Sequence, residues 1–212
     1  MNSDVKFVFF DMGKVLLEFD HQRLIKQVAA LTETPASEME EILFHAPHNL
    51  ENRFEVGDLN GDQFHRSLCE VTASDVDKDA LMLAVADIFW LNTSIVHVVT
   101  QLRGANFPIG VLSNTCEAHW EFVKANFAVI NLFDHRVLSY EENSMKPDGK
   151  IYQSAIEMAN RLTGCEAKEI FFVDDKKENV DAARDAGINA ELYESTRELS
   201  IQLRAAGILN VG

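Results

Sequence analysis

Short apolar runs, each closed by polar residues, set the frame of this chain. Four have the length of buried strands: Lys6–Phe10 (KFVFF), Pro108–Leu112 (PIGVL), Ile170–Val173 (IFFV) and Asn189–Leu192 (NAEL). A fifth, Arg136–Leu138, is weaker. Positions that are apolar in succession, without alternation, fit strands covered on both faces of a parallel sheet. Between these runs the period becomes helical. Ile151, Tyr152, Ala155, Ile156 and Ala159 share one face of a predicted helix over Asp148–Arg161. Glu178–Ala186 reads as a second helix with Gly187 as its stop. Ser195 and Glu198 form a capping pattern that opens a third, Thr196–Ala205. Strands alternating with helices predict an α/β fold with a doubly wound parallel sheet.

From Glu18 to about Leu91 the pattern is different. Helical stretches cover His21–Leu31, Ala36–Phe44, Asp62–Val71 and Asp77–Trp90, with Pro35, Pro47, Gly57 and Gly61 between them. No strand is predicted there. The segment 18–91 reads as a helical cap inserted after the first strand, leaving residues 1–17 and 92–212 for the α/β core. Phe44, Phe64, Phe89 and Trp90 are expected to pack inside. Asp58–Asp62 lacks the order of a calcium-binding EF-hand and reads as a turn.

Composition narrows the class of partner. The chain has 212 residues, 47% hydrophobic and 25% charged, which fits an ordinary globular protein. A formal net charge of -15 repels nucleic-acid backbones, so no nucleic-acid partner is expected. The same field repels an anionic metabolite unless a metal or local Lys and Arg side chains reverse it. Cys69, Cys116 and Cys165 are odd in number and form no CxxC, which predicts free thiols in a reducing compartment. The N-terminal stretch has neither a basic n-region nor a cleavage site, and no apolar run approaches the ~20 residues of a membrane span. A cytoplasmic monomer or small homo-oligomer without membrane contact is the expectation.

The candidate chemistry lies at the strand ends. Asp11, Ser113-Asn114 and Asp174-Asp175 each follow a predicted strand. In an open parallel sheet such ends line one crevice. A carboxylate at the end of a buried strand is costly unless it is paired or metal-bound. Lys146-Pro147 before the long helix, and Asn179 after the acidic pair, add polar groups near this edge.

Taken in order, these motifs resemble the haloacid dehalogenase-like (HAD) hydrolases, in the branch with a helical cap after the first strand. The resemblance covers essentially the whole chain. Its four parts are Asp11-Met12-Gly13-Lys14-Val15-Leu16; Val111-Leu112-Ser113-Asn114; Phe133-Asp134 with Ser139-Tyr140-Glu141 and Lys146-Pro147-Asp148; and Phe172-Val173-Asp174-Asp175 through Asn179. It implies a Rossmann-like core and a Mg2+-dependent phosphatase acting on a small phosphorylated metabolite. Asp11 would be the nucleophile and form an aspartyl phosphate. Asp11, the Gly13 carbonyl, Asp175, and Asp174 directly or through water would hold Mg2+. Ser113 and the Asn114 amide would bind the phosphoryl group, and Lys146 would offset the clustered charge.

Two positions depart from the family pattern. The usual second Asp, two residues after the nucleophile, is Gly13 here. Loss of a general acid and base typically costs on the order of 10²–10⁴ in rate. A branch of sugar-phosphate phosphatases has a similar Asp-x-Gly motif. Asn143 stands where relatives often have Gly, and Asn tolerates the left-handed conformation. Glu18 or His21 is the candidate substitute acid. Lys14 either leans over the phosphate or points to solvent. Glu51, Arg53 and His48 are candidate substrate contacts in the cap, while His45 and His48 do not read as a metal pair. Cys116, near a helix start, is expected to have a lowered pKa. Two other readings remain: a haloacid dehalogenase, which needs no metal, and a catalytically weak binding protein of the same fold.

Overall fold

The computed structural model describes residues 5–209. The chain opens with β1 (Phe7–Phe10) and β2 (Leu17–Phe19). Five helices follow: α1 (His21–Thr32), α2 (Ala36–Phe44), α3 (Leu50–Glu55), α4 (Gly61–Thr72) and α5 (Lys78–Ala86). Then come β3 (Phe89–Leu91), α6 (Val96–Gly104), β4 (Ile109–Ser113), α7 (Glu117–Asn126) and β5 (His135–Leu138). The chain continues through α8 (Ser139–Glu142), α9 (Gly149–Thr163), β6 (Ile170–Asp174), α10 (Lys177–Asp185), β7 (Asn189–Leu192) and α11 (Thr196–Ala205).

The main sheet has the order β5-β4-β1-β6-β7, and every pairing in it is parallel. All residues of β1, β4 and β6 are buried, which is why their sequences are apolar without alternation. Side chains still alternate between faces. Val8 and Phe10 join a cluster with Val98, Leu102 and Leu199, while Phe7 and Phe9 face Tyr152, Ala155 and Val180. The register pairs Phe10 with both Val111 and Val173; β1 stops there, β6 runs one residue further and β4 two, so the three strands end within two residues of one level.

Helices α1–α5 surround a separate core that includes Leu24, Leu43, Phe54, Phe64 and Leu81. Local chemistry accounts for their starts. The Asp20 side chain accepts from Gln22 N–H, and Asn60 with Gln63 forms a reciprocal capping box at α4. Gly187, past the end of α10, takes φ +88° and suits the predicted helix stop.

The segment predicted to lack strands contains two. β2 and β3 form an antiparallel pair, with Leu17 opposite Leu91 and Phe19 opposite Phe89. The helix predicted to reach Trp90 therefore stops at Ala86. Three-residue strands are too short to display a period, and an aromatic at a strand position looks the same as one on a helix face. Trp90 is also 49% exposed rather than packed inside. The short helix α3 carried no predicted counterpart, since six residues make under two turns.

Candidate active site

The β1–β6 pairing extends one residue past the strand: Asp11 N–H donates to the Val173 carbonyl at 2.9 Å. This holds the Asp11 backbone at the C-terminal edge of the sheet. Its Oδ1 accepts from Met12 N–H (2.7 Å) and sits 2.8 Å from Lys146 Nζ. The Lys146 ammonium also donates to Asp174 Oδ2 (2.6 Å) and to the Leu112 carbonyl (3.0 Å). Three acceptors fill its three N–H bonds, so it cannot rotate away without leaving one unpaired. Asn114 fastens the segment that carries it. Its side-chain amide donates to the Lys146 carbonyl (2.9 Å), and its side-chain oxygen accepts from Lys146 N–H (2.7 Å).

The two acids after β6 have different environments. Asp174 is fully buried and accepts from Lys146, from Lys176 N–H (2.8 Å) and from the Asn179 amide (3.0 Å to each oxygen). Asp175 is only partly buried and lines a cavity. Oxygens of Asp11, Asp174 and Asp175 lie within 4.8 Å of one another, a donor set suited to a hard cation. Burial pushes the Asp11 carboxyl up to about 7; Lys146 opposes the rise and Asp174 adds to it. Burial and then Asp174 raise Asp175. Burial pulls the Lys146 ammonium down, but Asp11 and Asp174 together outweigh it, so its pKa is raised.

The cavity has a volume of about 680 Å3, part of it open to solvent. Asp11, Gly13, Asn114, Lys146 and Asp175 form its floor. Phe19, His21, Glu55, Ile88 and Phe89 come from the β2–β3 pair and the helices inserted between its strands. A mixed apolar and charged pocket over a buried carboxylate can orient a small anion and limit its contact with water.

The predicted site residues divide at this point. Asp11, Gly13, Asn114, Lys146 and Asp175 share the cavity wall. Ser113 lies just behind it, buried, with its hydroxyl donating to the Asn114 carbonyl at 3.2 Å. Asp174 is likewise behind the wall, against Lys146. Lys14 is absent from the cavity wall and its side chain is 39% exposed, in line with the solvent-facing alternative. Its ammonium bonds to Glu18 Oε2 and to the Phe19 carbonyl, both at 3.0 Å, and lies over the Phe19 ring. This ties up Glu18 as well. His21 does line the cavity, stacked between the rings of Phe19 and Phe44. His48 and Arg53 are not in its wall. Glu55, His119 and Lys176 are, and nothing in their local sequence marked them.

Cys116 overturns its expectation. It precedes α7, but burial, and next the Glu51 carboxyl, raise its pKa well above the ordinary thiol value. Desolvation there exceeds the helix-end effect. Glu51 is a second surprise: it is 2% exposed, and neither carboxylate oxygen has a hydrogen-bond partner among the described residues. His119 Nε2 is 3.7 Å away, beyond hydrogen-bond range, and lies 3.2 Å from the Val85 carbonyl. Burial lowers His119 to about 4, while burial and then Glu55 push Glu51 well above the glutamate range. Both shifts favour the neutral forms, which argues against an ion pair here.

A carboxyl raised on folding contributes full stability below its unfolded pKa and loses it as pH climbs toward the folded value. Glu51→Met should therefore raise the melting temperature, and by more at about pH 8 than at about pH 5, the difference corresponding to about 1–3 kcal/mol. Melting curves at the two pH values test this. An increment that does not grow with pH would mean that Glu51 is charged and compensated.

A family model described as haloacid dehalogenase-like hydrolase matches residues 5–187. Among solved structures, a HAD family enzyme from Bacteroides thetaiotaomicron, in complex with magnesium and inorganic phosphate, is similar at 26% identity. The match covers 90% of this chain and 94% of that one, with a TM-score of 0.77. A predicted HAD-like family hydrolase from Porphyromonas gingivalis shares the fold at 20% identity, covering 95% and 99%, with a TM-score of 0.79. L-2-haloacid dehalogenase from Xanthobacter autotrophicus shares it at 16% identity, covering 97% and 85%, with a TM-score of 0.61. With the parallel sheet and the order of its strand-end residues, the match over most of its length shows that the chain belongs to the haloacid dehalogenase-like hydrolases.

Proposed function

We propose that this hydrolase is a Mg2+-dependent phosphatase that removes the phosphoryl group from a small phosphorylated metabolite, such as a sugar phosphate, through an aspartyl phosphate on Asp11. The observation that carries this reading is the pairing of buried Asp11 with Lys146 while a second acid, Asp175, faces the same cavity. The magnesium and phosphate bound by the Bacteroides relative support it. Asp11, Asp175 and the Gly13 carbonyl would hold the ion, with Asp174, already saturated by Lys146 and Asn179, directly or through water. When bound, Mg2+ supplies positive charge that offsets the oxygens of a phosphoryl group.

The chain's own groups do the rest. Lys146 keeps Asp11 oriented and neutralises one of the clustered charges. The amide that follows Ser113, with the Ser113 hydroxyl, would bind phosphoryl oxygens. Residues 18–91 would act as the cap whose Phe19, His21 and Phe89 exclude water. A dehalogenase is the less favoured reading. It needs no cation, whereas Asp175 adds a second cavity carboxylate beside Asp11.

The test is phosphate release from a set of phosphorylated metabolites and p-nitrophenyl phosphate, with and without Mg2+. Wild type should need the ion, and Asp175→Asn should lose on the order of 10²–10⁴ of the Mg2+-dependent rate. Equal rates with excess chelator would sink the metal assignment. Halide release from 2-chloropropionate without phosphate release would favour the dehalogenase.

A further inference from the structure

Gly13 leaves the proposed nucleophile without an acid two residues on, and the structure shows what occupies that space. A Cβ at position 13 would stand 2.9 Å from the Phe19 ring. No side chain fits there unless the ring moves. A leaving alkoxide still needs a proton, and the water that frees Asp11 must lose one. These two transfers call for another cavity group.

The cavity offers few. Asp11 is the nucleophile in this reading and Asp175 a proposed metal ligand. Lys146 is held by three acceptors. His119 Nε2 is turned to the Val85 carbonyl and Glu51. His21 is stacked between Phe19 and Phe44. Glu55 remains.

We propose that the Glu55 carboxyl, in the wall of the same cavity as Asp11, is the general acid and base of this site. The inference rests on the phosphatase reading above. Glu55 ends α3, a helix of the inserted segment, yet its backbone is fastened to the core. Ser139 Oγ donates to the Glu55 carbonyl at 2.6 Å and accepts from Thr115 N–H at 2.9 Å. One hydroxyl thus joins Glu55 to the loop that carries Asn114. Two residues on, Gly57 has φ +86°, and a Cβ there would meet the Tyr140 carbonyl oxygen at 2.5 Å. The end of α3 therefore lies flush against α8. Glu55 comes from the cap in sequence but is positioned by the core.

Its surroundings suit proton transfer. Lys176, after β6, and Lys146, before α9, are the charged core groups that act on it, with Glu51 one turn earlier on its own helix. Burial raises Glu55 to about 7 against the opposing pull of Lys176 and Lys146, so both protonation states are populated near neutrality. In the first step an Asp11 oxygen attacks phosphorus. The bond from phosphorus to the ester oxygen breaks, and that oxygen takes the Glu55 proton. Glu55 carboxylate then removes a proton from water as the water oxygen attacks phosphorus. The Asp11–phosphorus bond breaks, inorganic phosphate leaves, and Glu55 is protonated again.

The experiment compares phenyl phosphate with p-nitrophenyl phosphate, two esters of similar size whose leaving groups differ in basicity, in wild type and Glu55→Gln with Mg2+. The variant should lose on the order of 10²–10⁴ in kcat/KM for phenyl phosphate and about tenfold or less for p-nitrophenyl phosphate. Phosphorylated protein should accumulate with the second ester, read as a mass increase after acid quench. Equal losses for both esters, or no loss, would overturn the assignment. Glu55→Ala, assayed with and without added formate, serves if the Gln variant does not fold; recovery by formate supports the role and its absence counts against it. If wild type itself releases no phosphate from any ester with Mg2+, it is the phosphatase reading that fails.

Discussion

Asp11→Asn is expected to lower p-nitrophenyl phosphate hydrolysis by about 10⁶-fold, a loss of the size seen when a covalent nucleophile is removed. An amide is a poor nucleophile toward phosphorus, and every other step depends on the phosphoryl group first reaching residue 11. The fold should survive. Asn keeps the shape of the side chain and can accept from Met12 N–H as Asp11 does. Lys146 retains Asp174 and the Leu112 carbonyl, so it is not stranded. Asp11 is also a carboxyl that burial already pushes toward its neutral form, so replacing it removes an unfavourable buried charge. The measurement is a steady-state rate beside a thermal melt. Residual activity within tenfold of wild type in the folded variant would refute the nucleophile assignment.

Lys146→Met should act on folding and catalysis together. The ammonium is buried between Asp11 and Asp174. Removing it leaves two buried carboxyls without their cation, and breaking such a pair costs about 3–5 kcal/mol. Asn179 and the Lys176 amide still serve Asp174, whereas Asp11 keeps only Met12 N–H. The sign of the pH effect follows from Asp11. Burial raises Asp11 even with Lys146 pulling it down, so without Lys146 the folded protein takes up that proton at a still higher pH than wild type, which relieves the unpaired charge as pH falls. Urea titrations should therefore show a loss of about 3–5 kcal/mol near neutral pH and a smaller one in mild acid. Unchanged stability at both pH values would mean that Lys146 is not the counter-charge of this site.

The strand-end acids and the hydroxyl-amide pair could be read directly. A run such as Phe-Val-Phe-Phe, short, aromatic and β-branched, reads as a strand covered on both faces, which puts the next residue, Asp11, at a sheet edge. The same logic gave Asp175 and Asn114 their places, because the neighbouring parallel strands end within two residues of one level. It failed where the signal was shorter than a period. β2 and β3 have three residues each, and their pairing joins positions about seventy residues apart. Phe19 was thus not visible as the ring that closes the space beside Gly13. Glu55 was missed for a related reason. Its neighbours in sequence say only that a helix ends near it, and its place in the cavity wall comes from where Ser139 and Tyr140 hold that end.

Gly13 shows the division of labour between chain and fold. From the sequence alone followed the sheet, the insertion of helices after its first strand, the carboxylate at position 11 and the absence of an acid two residues later. Those features depend on residue type and local period, which the chain carries in order. The tertiary structure decided the pairing of Lys146 with Asp11 and Asp174, the exposure of Asp175 to the cavity, the retreat of Lys14 toward Glu18 and the arrival of Glu55 above the site. Each of these is a contact between elements far apart in the chain. Such contacts are set by packing and by which buried polar groups find partners, and neither quantity exists until the elements have docked.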